Sequence, residues 1–234
     1  MNIIEAENLS FRYRQPIFTG ANFSIARNSV TGIIGSNGAG KTTLFDLLCR
    51  IKKPTTGKLD IHTSHPAYLS QTVSTSPALR LGDLFTMISA LGLEKPINMV
   101  SAAATLSQWN ISLAQRFQAL SYRRPAQCSY GEIRYYFALA LLVSPNDLVL
   151  LDEPTAGVDP EHRYYIWQAI LSAKKEGKTV IVSSHNLQEI AQHTDIFWFI
   201  NNQEVVPFQS AETFLARYGG NNMDEAFIRA TSLA

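Results

Sequence analysis

The strongest constraint on this chain is Gly35-Ser36-Asn37-Gly38-Ala39-Gly40-Lys41-Thr42, a G-x-x-x-x-G-K-T run. It follows a β-branched stretch, Ser29 to Ile34, and opens a helical stretch, Lys41 to Ile51, with Leu44, Leu47, Leu48 and Ile51 on one face. A strand that enters a helix through a glycine-bearing loop can turn successive backbone N–H groups toward one point, where the helix N-terminus adds partial positive charge. Phosphate oxygens satisfy such a point. Lys41 then reaches the β- and γ-phosphates, Thr42 offers a hydroxyl to Mg²⁺, and Thr43 helps hold a phosphate.

A second signal lies more than a hundred residues on. Leu148 to Leu151 is a continuous apolar run, as expected of a strand buried on both faces of a parallel sheet, and it ends in Asp152 and Glu153. Carboxylates at the C-terminal edge of such a sheet lie where these folds bind ligands. Asp152 suits the Mg²⁺ shell, and Glu153 suits a general base that polarises an attacking water.

Around these two signals the chain reads as α/β with a helical insert. Short strands are expected at Ile3-Ile4, Leu9 to Tyr13, Asn22 to Ala26, Lys58 to Ile61 and Ala67 to Ser70. From Leu79 to Leu120 the apolar spacing turns helical (Leu81, Leu84, Phe85, Ile88, Leu91), with breaks at Gly92 and Pro96, and a further helix is expected over Gly131 to Val143. Asp159 then caps a helix with Pro160 at its first position and Gly177 as its stop. Strands at Thr179 to Val182, Ile196 to Ile200 and Glu204 to Val206 follow, the last two joined by a turn at Asn201-Asn202.

With 20 Lys+Arg against 19 Asp+Glu among 234 residues, the net charge of +1 argues against a nucleic-acid-coating protein, and no nucleic-acid partner is expected. The longest apolar run, Tyr135 to Val143, is far short of the roughly 18 to 20 residues of a membrane span. The N-terminus lacks the pattern of a signal peptide, and Cys49 and Cys128 form neither a metal motif nor a disulfide framework. A soluble protein of a reducing compartment is expected. Its mean hydropathy of −0.03 leaves room for an apolar docking surface.

In this order, the motifs resemble the nucleotide-binding subunit of ATP-binding cassette (ABC) transporters, over nearly the whole chain. Further positions that match are Tyr13, Gln71, the Cys128-Ser129-Tyr130-Gly131-Glu132 segment, Ala156-Gly157-Val158-Asp159 and His185. The resemblance implies a P-loop NTPase core with a mainly parallel sheet, an N-terminal antiparallel β-subdomain and an inserted α-helical subdomain. The core is then 1–72 with 146–234, and 73–145 is the helical subdomain. ATP and Mg²⁺ are the implied ligands. Tyr13 is expected to stack on adenine, with Phe11 as the competing aromatic. Gln71 is expected to contact Mg²⁺ or the attacking water, and His185 the γ-phosphate; His62, His65, His162 and His193 are left as structural or solvated. Ser129, Tyr130, Gly131 and Glu132 are the signature segment and Asp159 the D-loop residue, both acting across a homodimer or a heterodimer with another such subunit. The family usually reads Leu-Ser-Gly-Gly-Gln there, so Tyr130 adds bulk where glycine allows close approach, and slowed hydrolysis is expected.

The resemblance further implies separate transmembrane permease subunits and a place on the cytoplasmic face of the membrane. The stretches Gly157 to Glu161 and Ser184 to Leu187 look most like ABC-2 exporters of drugs, bacteriocins or polysaccharides. A groove between the Gln71 region and the helices of Leu79 to Leu120 is expected to take a short cytoplasmic helix of the permease. Two other readings stand beside this one. The first is a soluble ABC-type ATPase, with cluster assembly favoured because the insert lacks the heptads of repair relatives and the chain holds one cassette. The second is a nucleotide-gated immunity or binding module that hydrolyses weakly, supported by Tyr130 alone.

Overall fold

The computed structural model of the chain describes residues 1–63, 65–91 and 96–232. β3 (Val30–Gly35), β6 (Leu148–Asp152) and β7 (Thr179–Ser183) are buried at every position, as strands covered on both faces must be. With β5 (Ala67–Leu69), β8 (Ile196–Asn201) and β9 (Glu204–Phe208) they form a six-stranded sheet of order β5-β6-β7-β3-β8-β9. Its pairs are parallel except that β9 returns antiparallel on β8.

Successive side chains of a strand alternate faces, so each strand feeds two cores. Val149, Leu151, Val180, Val182, Phe197 and Phe199 join the helices on one side. Leu148, Leu150, Ile181, Trp198 and Ile200 join the core on the other. That second core is closed by α1 (Lys41–Leu48) and by an antiparallel sheet of β1 (Asn2–Arg12), β2 (Pro16–Ala26) and β4 (Thr56–Ile61).

Between β5 and β6 run α2 (Leu81–Ala90), α3 (Met99–Trp109), α4 (Ile111–Ser121) and α5 (Tyr130–Val143). Phe117 stacks on Tyr136 at 4.5 Å between ring centres and meets Phe85 edge-on at 5.5 Å, which joins α2, α4 and α5. From Tyr135 to Val143 every residue of α5 is buried, so this helix is shared by the insert and the sheet. α6 (Pro160–Lys175) and α7 (Leu187–His193) follow β6 and β7. The caps expected of α6 are present: Asp159 accepts from the N–H groups of Glu161 and His162, both at 3.0 Å. Among the described residues no helix is long and apolar enough to cross a membrane.

Several local expectations change. The two short strands at Ile3-Ile4 and Leu9 to Tyr13 are one strand, β1, which absorbs the irregular stretch through register shifts against β2. α1 ends at Leu48 and not Ile51, because Arg50 turns left-handed at φ 58° and leaves Ile51 62% exposed. Leu91, read as part of the apolar face of α2, is exposed just beyond its end. The turn into β9 is made by Asn202 and Gln203, with φ of 47° and 65°, one residue later than expected. Gly92, the expected break after α2, lies outside the described residues.

Two helices were not anticipated, α8 (Ala211–Tyr218) and α9 (Met223–Ser232). Phe214 of α8 meets Phe197, Phe199 and Phe208 edge-on, and Phe227 of α9 meets Phe199. The groove in the insert, about 310 Å³, is lined by α2, α3 and α4 and does not reach Gln71. The carbonyl of Gln71 is instead held by Tyr130 and Arg134 of α5.

Gly32 shows how tightly α7 is seated on β3. A Cβ at this position would lie 2.5 Å from Ile190 Cγ2 and 3.1 Å from Phe197 Cβ. Gly32→Ala is therefore expected to cost about 1–3 kcal/mol by overpacking. Urea unfolding should show a lower midpoint with an unchanged slope.

Candidate functional site

Three adjacent parallel strands stop at one edge of the sheet. β3 runs into the glycine-bearing loop, β6 into Asp152-Glu153 and β7 into Ser183-Ser184-His185, with Asp152 opposite Ser183 in the ladder. In the loop Gly38 and Gly40 hold φ of 82° and 111°, which a side chain rarely adopts. A Cβ on Gly40 would also fall 2.6 Å from Ile17 Cγ2, so β2 approaches the loop closely.

Lys41 is almost fully buried, and its ammonium donates to the carbonyls of Gly35 at 2.8 Å and Ser36 at 3.2 Å. Burial pulls its pKa below the ordinary lysine value, against the opposing pull of Glu153 and Asp152. Thr42 Oγ1 donates to Asp152 Oδ2 at 2.9 Å, and Ser183 Oγ donates to Asp152 Oδ1 at 2.6 Å. The same Ser183 oxygen accepts from the Glu153 N–H at 2.9 Å. Thr42 and Asp152 thus present a hydroxyl and a carboxylate together, the hard oxygen donors that Mg²⁺ takes alongside phosphate oxygens and water.

Glu153 is left-handed at φ 53° and buried, and His185 Nε2 lies 2.6 Å from its Oε1. Lys41, Thr42, Thr43, Gln71 and Glu153 line one cavity of about 170 Å³ with Asn37, Gly38 and Gly40. A neighbouring cavity of about 400 Å³ joins Gly35, Ser36, Asn37 and His185 to Asp224, Phe227 and Ile228 of α9. Tyr13 stays outside both, 52% exposed in the turn after β1, whereas Phe11 is buried. The two rings meet edge-on at 5.0 Å, with the Lys52 ammonium 5.6 Å from the centre of the Tyr13 ring.

The Ser129 segment and Asp159 do not line the cavity around Lys41; they sit at the starts of α5 and α6, where Gly131 approaches Gly157 and Val158. Ser129 Oγ accepts from the Glu132 N–H at 3.1 Å, and Glu132 returns the contact to the Ser129 N–H at 2.7 Å. Burial raises the Glu132 pKa, but the Ser129 N–H and the Arg123 guanidinium outweigh it and hold the carboxyl below its usual range. Gly131 is closely packed: a Cβ there would press on Gly157 O at 3.2 Å and Val158 Cα at 3.3 Å. Tyr130 turns toward its own chain, donating its hydroxyl to Gln71 O at 2.9 Å.

Comparison with known proteins decides the family. The ABC transporter family model matches residues 18–156. The chain belongs to the ABC transporter ATP-binding family. It is 27% identical over 220 residues to protein McbF of Escherichia coli, covering 91% of this chain and 88% of that one. It is 30% identical to the energy-coupling factor transporter ATP-binding protein EcfA of Methanothermobacter thermautotrophicus, covering 87% and 70%. It is 27% identical to the daunorubicin resistance ATP-binding protein DrrA3 of Streptomyces coeruleorubidus, covering 92% and 70%. In fold it matches an ATP-binding subunit of an ABC transporter with a TM-score of 0.79 at 22% identity, covering 97% and 98% of the two chains. A dimeric ATP-binding cassette solved with ADP and Pi matches at 0.73 and 17% identity, covering 88% and 98%.

This cassette is thus a nucleotide-binding, ATP-hydrolysing subunit of the kind that powers a membrane transporter. Its sequence did not point to Ser183 or Arg134, though the first could be found as the strand-end residue opposite Asp152. Nor did it point to the wall that α9 adds beside His185.

The buried ammonium of Lys41 has a testable consequence. The folded cassette holds this lysine less readily protonated than the unfolded chain does, so the stability penalty is absent above the ordinary lysine pKa and grows as pH falls below it. Lys41→Met should remove that slope and melt no lower than the parent without nucleotide. Charge-assisted contacts to phosphate would be lost, so ATP affinity should fall about 10- to 100-fold. Thermal melting with and without ATP, across a pH series, checks both.

Proposed function

We propose that this cassette works as a dimer that drives a membrane exporter, with the residues of the strand-end cavity dividing the chemistry among themselves. The observation that carries the assignment is the buried Glu153 carboxylate 2.6 Å from His185, in a cavity shared with Gln71 and the phosphate loop. Glu153 accepts the proton of the attacking water as that oxygen bonds to the γ-phosphorus, while the bond from that phosphorus to the β,γ-bridging oxygen breaks and its electron pair leaves with ADP. The His185 ring N–H that meets Glu153 is turned over to the γ-phosphate when ATP is bound, and Gln71 orients the water. Lys41 exchanges its bonds to Gly35 and Ser36 for the β- and γ-phosphate oxygens. The amides from Gly35 to Thr43 wrap the phosphates, and the exposed ring of Tyr13 stacks on adenine. Thr42 and Asp152, with Gln71 at the edge, hold Mg²⁺, which when bound neutralises charge on the β- and γ-phosphates.

In the dimer each chain's phosphate site is closed by Ser129, Tyr130, Gly131 and Glu132 of the other, with Asp159 beside them. The core then comprises 1–72 and 146–234, and 73–145 is the helical subdomain that carries the closing segment. The partners are transmembrane permease subunits, which place the cassette on the cytoplasmic face of the membrane. The groove among α2, α3 and α4, with Val100 and Tyr122 both more than half exposed, suits a short cytoplasmic helix of such a subunit. Export is supported by the likeness to a daunorubicin resistance protein and by the stretches Gly157 to Glu161 and Ser184 to Leu187.

Glu153→Gln keeps the shape of the side chain and removes the base. It should bind ATP as the parent does and lose turnover by about 100-fold or more. ATP should convert it to a dimer on size-exclusion chromatography, and turnover at the parent rate would reject the assignment. Val100→Glu places a charge in the groove among α2, α3 and α4. It should lose co-purification with the permease while ATP still raises its melting temperature.

A further inference from the structure

Arg134 has no solvent exposure, yet among the described residues no carboxylate pairs with it. Its guanidinium is spent on main-chain carbonyls instead. Nη1 donates to Gln71 O at 2.6 Å and Ser70 O at 3.3 Å, and Nη2 donates to Asp152 O at 2.6 Å and Glu153 O at 2.7 Å. Those carbonyls belong to the segments that follow β5 and end β6, so one planar fork joins the two sides of the cavity.

We infer that Arg134 is the positioning residue for hydrolysis, fixing Glu153 and Gln71 relative to one another from within α5. This rests on the assignment of Glu153 as the base. Glu153 sits in left-handed backbone, where a non-glycine residue persists only if its surroundings hold it. Both of its main-chain polar groups are held: the N–H by Ser183 Oγ at 2.9 Å and the carbonyl by Arg134 at 2.7 Å. With both main-chain groups pinned, the stem of the side chain is fixed, and the carboxylate at its end lies 2.6 Å from His185 Nε2. Gln71, in a loop beyond the end of β5, receives its anchor from the other arm of the same guanidinium.

The clamp also reaches the start of α5. Tyr130 lies one turn earlier, its hydroxyl accepts from Arg134 Nη1 at 3.2 Å, and the same hydroxyl donates to Gln71 O. The guanidinium carbon stands 5.7 Å from the centre of the Tyr130 ring. A displacement of the Ser129-Tyr130 segment is therefore felt directly at Gln71 and, through Arg134, at Glu153. Lysine cannot replace this arrangement, because a single ammonium does not span two segments as a planar fork does.

The test uses the full chain with Arg134→Met, Arg134→Lys, Tyr130→Phe and Glu153→Gln, measuring kcat, ATP affinity and melting temperature for each. Misplacement of reacting groups by about 1 Å costs on the order of 100-fold in rate, so Arg134→Met should lose about 30- to 100-fold in kcat. Its ATP affinity should stay within about threefold of the parent, since Lys41 and the loop are untouched. Arg134→Lys should fall between the two, and Tyr130→Phe should lose about two- to fivefold in kcat by giving up one auxiliary bond. If Arg134→Met does not fold, Arg134→Lys and Tyr130→Phe carry the same comparison. Parent turnover in Arg134→Lys and Tyr130→Phe, with Glu153→Gln inactive, overturns the positioning role and leaves the base in place. A fall in kcat and ATP affinity together, tracking the loss of melting temperature, also overturns it by showing a merely structural arginine. Parent turnover in Glu153→Gln removes the base assignment and the clamp's purpose with it.

Discussion

Asp152 and Ser183 face one another at the ends of β6 and β7, and the 2.6 Å bond between their side chains ties those ends together beside the strand that feeds the phosphate loop. Everything else at the edge hangs from this junction. Ser183 accepts the N–H of Glu153, Asp152 accepts the hydroxyl of Thr42, and His185 follows Ser183 by two residues. Parallel strands make such a junction possible because their C-terminal ends all face the same way, so residues far apart in sequence arrive at one place without long side chains. Two separate cores, one on each face of the sheet, hold the strands in that register.

The loop and the two carboxylates were legible because their geometry is local. Eight consecutive residues specify the loop, and an apolar run that stops at Asp152-Glu153 specifies the strand end. Sequence alternation could not choose between Phe11 and Tyr13. Burial separates the two rings, because β1 stops at Arg12 and leaves only Tyr13 in the open. Arg134 was illegible for a different reason. It precedes the apolar run from Tyr135 to Val143 and belongs to no motif, and its partners are carbonyls, which carry no side-chain signal. Helices α8 and α9 were missed because the rings that anchor them, Phe214 and Phe227, find their ring partners on β8 and β9, a pairing that local spacing does not show. Their starts were nonetheless written in the caps: Ser210 accepts from the Thr213 N–H and Asn222 from the Glu225 N–H.

The starts of α5 and α6 form a second organised place, built on backbone contact. Gly131 and Gly157 let the two helix starts approach, and Ser129, Glu132 and Asp159 satisfy the free N–H groups there. Ser129 accepts one hydrogen bond in this role, and its hydroxyl proton is not consumed by doing so. Capping its own helix and donating to a phosphate of another chain are compatible duties for one serine.

Glu153 has a history written into its backbone. A non-glycine residue in the left-handed region costs on the order of 1–3 kcal/mol, and glycine at that position would be free of it. A cassette drifting toward greater thermal resistance would lose this carboxylate early, since the relaxed residue is the one without it. In this chain the carboxylate at the turn is kept at a cost in folding free energy that a Glu153→Gly variant would not bear.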